Sequence, residues 1–113
     1  MNREIQRIHQ LLLAQHSALA AKLGEEQDPD KAGAILAEMR ETLHRIDLVQ
    51  GLLFRETSQA LQRKVEKIQQ ASDALTRSLG SIRNIGEFIK SVTTFLRYVD
   101  EAIDLAKTLA PIP

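Results

Sequence analysis

Glu41 and His44 stand three residues apart, the spacing that sets a carboxylate and an imidazole side by side on one face of a helix. Such a pair has the chemistry of a divalent-metal ligand element. His9 and His16 are seven apart, so they share a helical face but lie two turns from one another, too far to chelate one ion directly. They read as surface or interface histidines. The chain has no cysteine, so a disulfide, a thiolate metal site and a cysteine nucleophile are all excluded. No glycine-rich phosphate loop, nucleophile elbow or paired-acid motif occurs.

Glu41-x-x-His44 resembles the ligand element of ferritin-like di-iron bundles. That site needs two such elements and a further Glu from each of two other helices. Neither His9 nor His16 follows an acid by three, and the first segment offers only Glu4 before Glu25. The expectation is therefore a solvent-facing pair beside Leu43, with no metal, no cofactor and no catalytic residue: a protein that is not an enzyme.

The elements that position these residues follow from apolar spacing. Ile5, Ile8, Leu12, Leu19 and Leu23 share one face of a first helix over about Asn2–Leu23, with Asn2 as N-cap and Gly24 just past the end at positive φ. Asp28-Pro29-Asp30 is a second start, an acid cap followed by proline in the first turn. Ala32, Leu36, Met39, Leu43, Ile46, Gln50 and Leu53 then step in fours and threes, a heptad seam with Gln50 as its polar member. A second seam runs through Leu61, Val65, Ile68, Ser72, Leu75, Leu79 and Ile82. Gln50 and Ser72 either fix register or fall where a seam meets water.

The two seams are offset by one residue, because Leu53 to Leu61 is eight steps. A continuous helix over about 30–80, roughly 76 Å long, absorbs the offset as a stutter. The alternative is a turn near Arg55–Ser58, with Thr57 or Ser58 capping a new helix. Gly51 weakens the helix locally, yet no Pro, Asn or Gly sits where such a turn wants one, which favours the continuous helix. Asn84-Ile85-Gly86-Glu87 reads as a capping box opening a last helix over Ile85–Leu109. Its apolar face is wide: Phe88, Ile89, Val92, Phe95, Leu96, Val99 and Ile103, extended round by Tyr98 and Leu105. The fold class is all-α, as one domain over 1–113. It is an antiparallel helical bundle or coiled coil, of three helices about a long central one or of four up-and-down helices.

Composition narrows the partners. The 113 residues carry 15 basic and 15 acidic side chains, with 43% hydrophobic and 27% charged, a globular profile. The N-terminal half is slightly acidic and the C-terminal half slightly basic, an asymmetry that could align two copies antiparallel. Lys and Arg form no single stripe and no aromatic residues interleave with them, so nucleic acid is not an expected partner. The N-terminus lacks the pattern of a signal peptide, and the longest uncharged run, Ile8–Ala21, is too short and polar to span a bilayer. A soluble cytoplasmic protein is expected.

Leu48-Val49-Gln50-Gly51-Leu52-Leu53-Phe54 is apolar beyond what one seam uses. Together with the broad last helix it marks Leu48, Leu52, Phe54, Phe88, Phe95, Tyr98 and Leu105 as candidate interface residues, to be covered within the chain, by a twin or by another protein. The expected function is a non-enzymatic helical protein–protein interaction module: a homo-oligomer, adaptor, chaperone or inhibitor. The alternative is membrane-surface or pore-forming action by the last helix, where Phe88, Phe95 and Tyr98 oppose Lys90, Arg97 and Lys107. Glu87, Asp100, Glu101 and Asp104 weaken its attraction to anionic lipid.

Overall fold

Each helix of the chain begins at a side chain suited to hold its unpaired backbone N–H groups. In the computed structural model, which describes all residues Met1–Pro113, Asn2, Asp28, Ser58 and Asn84 are the four N-caps, each accepting a bond from the first turn. The helices are α1 (Arg3–Glu25), α2 (Pro29–Gln50), α3 (Gln59–Leu79) and α4 (Ile85–Lys107). The Glu87 N–H donates to Asn84 Oδ1 at 3.1 Å, the capping half of the expected box.

The long central helix does not form. The chain turns through Gly51–Phe54 and restarts at Ser58, whose hydroxyl accepts from the Leu61 N–H at 3.1 Å. No helix-breaking residue is needed, because remote segments take up the polar groups of the turn. The Asn2 N–H donates to Leu53 O (2.8 Å), and Asn2 Nδ2 donates to Glu56 O (3.0 Å). From the other side, the Glu56 N–H donates to Ala110 O (2.8 Å) and the Ile112 N–H to Phe54 O (2.7 Å). Both ends of the chain therefore clamp residues 51–58. Gly24 also departs from expectation: α1 runs through it to Glu25, and no residue of the chain has positive φ.

The four helices form a bundle. α1 packs on α2 and α3, and α4 packs on α3 and α2, which leaves α1–α4 and α2–α3 across the diagonals. The bonds from Arg7 to Gln69 and from Gln15 to Ser72 and Thr76 rise together along α1 and α3, so these two neighbours run parallel. Lys64 with Glu101 and Lys67 with Tyr98 descend on α4 as they rise on α3, an antiparallel pair. Residues 51–58 thus cross one end of the bundle diagonally.

The core is Ile5, Ile8, Leu12 and Leu19 of α1, Leu61, Ile68, Leu75 and Leu79 of α3, and Phe88, Val92, Phe95, Val99 and Ile103 of α4, as the spacing of those segments predicts. α2 differs. Its buried positions are Ile35, Thr42, Ile46 and Val49, not the Leu36–Leu43 seam, and Gln50 is exposed. Thr42 tolerates burial because its hydroxyl donates to Glu38 O one turn back, at 2.8 Å.

Candidate interaction surface

Of the residues that could do chemistry, Glu41 is engaged in an ion-pair network. Arg45 reaches from α2 to α4 and grips Asp100 with two bonds of 3.0 Å, while its third nitrogen meets Glu41 at 2.6 Å. Asp100 raises the Arg45 pKa further, against the opposing effect of burial. The groove between α2 and α4, about 450 Å³, is lined by this network with Glu38, Thr93, Leu96 and Arg97. Burial first, and then the neighbouring Glu41 charge, push the Glu38 carboxyl above its ordinary value, partly offset by Arg45. Glu41 is thus tied to Arg45, while His44 is exposed, and no three metal-ligating side chains converge in the fold.

A second polar group lies inside. Gln15 is buried against α3, and its Nε2 lies 2.8 Å from Ser72 Oγ, 3.0 Å from Ser72 O and 2.9 Å from Thr76 Oγ1. Ser72, read from sequence as a polar seam residue, is one half of this pair. Gln15 was legible only as a polar interruption, since nothing local marks it as facing inward. His9 and His16 are half-buried on the side of α1 turned to α2, and His9 Nε2 has no partner.

The seven candidate interface residues divide. Leu52, Phe88 and Phe95 are buried in the core and offer no surface, so on these three the interface expectation is corrected. The bundle uses their large side chains to fill its core, Leu52 at the end that residues 51–58 cross. Tyr98 and Leu105 are half-buried against the same core, Tyr98 with Lys67 Nζ 5.9 Å from its ring centroid. Only Leu48 and Phe54 are well exposed, Phe54 at 66%. α4 therefore commits most of its apolar face to the bundle, and membrane entry by that face would require the bundle to open.

A second apolar surface includes two leucines that the spacing had assigned to the core. Leu36 (40% exposed) and Leu43 (49%) lie on the flank of α2 roughly 160–180° round from Arg45 at 100° per residue. Since Arg45 faces α4, this flank turns outward beside α1. Leu13 of α1 is 44% exposed and stands on the flank away from the side chains that bond to α3. The bond from Asn2 to Leu53 puts Leu13 opposite about residue 42 of α2, within a turn of Leu43. The outer face of the α1–α2 hairpin thus carries a row of leucines. No protein-family model, curated protein or solved structure matches this chain.

Proposed function

We propose that this chain is a non-enzymatic helical interaction module that docks through the outer face of its α1–α2 hairpin. One observation carries the reading: Leu13, Leu36 and Leu43 are exposed together on that face while the core closes without them. Isolated exposed leucines are ordinary, but three on one face of a helical hairpin are a pattern that a helical partner can recognise. The engaged charges of the Arg45 network support a structural role for the groove between α2 and α4, not a reaction site.

The test compares the wild-type chain with a variant carrying Leu13→Gln, Leu36→Gln and Leu43→Gln. These exposed positions leave the fold intact, which circular dichroism verifies. The wild type is expected to associate, with itself or with a protein retained from its source cells, and the variant to lose that association. A variant that keeps every association of the wild type, or a wild type with none, ends the reading.

A further inference from the structure

We infer that the occupant of this face is a second copy of the chain, packed about a two-fold axis beside Leu43 with the two α2 helices antiparallel. The inference rests on the docking reading above and names its partner.

Charge placement selects the partner. Arg40 lies three residues before Leu43 and Asp47 four after, both exposed on the leucine flank, and neither joins any ion pair of the chain. A two-fold interface places the same patch on both sides, so a residue i that meets j is repeated as j meeting i. Two α2 helices reversed about Leu43 set Arg40 against Asp47 of the second copy, and Asp47 against its Arg40. Two complementary pairs thus flank a central contact of Leu43 with its twin. Leu13, within a turn of Leu43, adds one leucine from each copy beside the axis, and Leu36 meets the exposed Gln50. The competing register, Leu36 on Leu43, brings the two Arg40 side chains together and is disfavoured by like charge.

Size and net charge agree. A hairpin face of 22-residue helices is about 33 Å long and about 20 Å wide, or roughly 660 Å² in projection. Relief adds to that figure, which brings it near the roughly 800 Å² per partner of a standard stable interface. With 15 basic and 15 acidic side chains, two copies meet without long-range repulsion.

Arg40→Asp and Asp47→Arg, made singly, together in one chain, and mixed as two single variants, test the inference by sedimentation. Each single variant faces like charge twice in its own dimer, so its self-association weakens at least about tenfold relative to wild type. The double variant regains the wild-type dimer. A mixture of the two single variants pairs as a heterodimer, because every contact is again complementary. A wild type that stays monomeric to about 200 µM overturns the self-pairing, as does a dimer indifferent to both single variants, or a larger assembly. A monomeric wild type leaves the docking reading to the leucine variant and its retained partner, so the two failures are told apart.

Discussion

Asn2 holds the crossing segment and one helix at once, so its replacement is expected to cost more than a cap alone. Its Oδ1 accepts from the Ile5 N–H at 3.0 Å, and its Nδ2 donates to Glu56 O at 3.0 Å. Loss of an N-cap costs about 1 kcal/mol, and loss of a hydrogen bond to a partly buried carbonyl about another 1 kcal/mol. Asn2→Ala is thus expected to lose about 2 kcal/mol, a fall in Tm of about 8 °C for a chain of this size. Asn2→Asp keeps the acceptor and loses the donor, so it should fall about halfway. Asn84→Ala is the control, since Asn84 caps α4 and its side chain makes no other bond. Chemical denaturation with circular dichroism reads all three. If Asn2→Ala costs no more than Asn84→Ala, the clamp adds nothing to stability and the account of the crossing segment fails.

Other outcomes follow from the same geometry. Ile46→Ala should cost about 2–4 kcal/mol and Leu36→Ala under about 0.5 kcal/mol in the monomer, by denaturation at low micromolar concentration; equal costs would contradict the register of α2. Gln15→Ala should cost about 2–3 kcal/mol, by cavity and lost bonds together, whereas Gln15→Leu with Ser72→Ala should return to within about 1 kcal/mol of wild type. Glu38 has a raised folded pKa, so its contribution is favourable below the ordinary value of 4.5 and is lost as pH rises through the folded value. Glu38→Gln should therefore stabilise the chain slightly at pH 7, with the advantage vanishing below pH 4.5; a destabilised variant at pH 7 would reverse the sign.

Where burial and local signals agree, the fold is legible in the sequence. The α3 seam from Leu61 to Ile82 and the α4 face about Phe95 are buried much as their spacing requires, and Asn2, Asp28 and Asn84 announce their helices. The break after Gln50 is not legible, because the groups that satisfy it lie on Asn2 and on residues 110–112, about half the chain away. The face of α2 is not legible either, because the helix is apolar on two flanks. Spacing favours Leu36 and Leu43, whereas the stripe that is buried runs through Ile35 and contains Thr42. The burial of Thr42 is intelligible only once the bond of its hydroxyl to its own helix is known. The candidate surface was hidden by the same ambiguity, since Leu36 and Leu43 were counted into the core, while Leu13 was not singled out.

That inversion on α2 bears on function more than any single contact does. For the stability of the monomer alone, a leucine is better placed at 42 than at 43, and a polar residue better at 43. The chain has the reverse: Thr42 is buried and Leu43 half exposed. Burying a leucine is worth about 2 kcal/mol, so an exposed one forgoes most of that in the free chain. Leu13 and Leu36 are exposed on the same face, with unpaired Arg40 and Asp47 beside Leu43. In the proposed pairing, association would recover what each leucine forgoes and give both charges a partner. The buried stripe therefore accounts for the fold of α2, and the exposed one is the stripe on which the proposed docking rests. If Thr42→Val and Leu43→Gln together stabilise the monomer while abolishing association, the two stripes have separate purposes; a stable monomer that still associates would contradict this division.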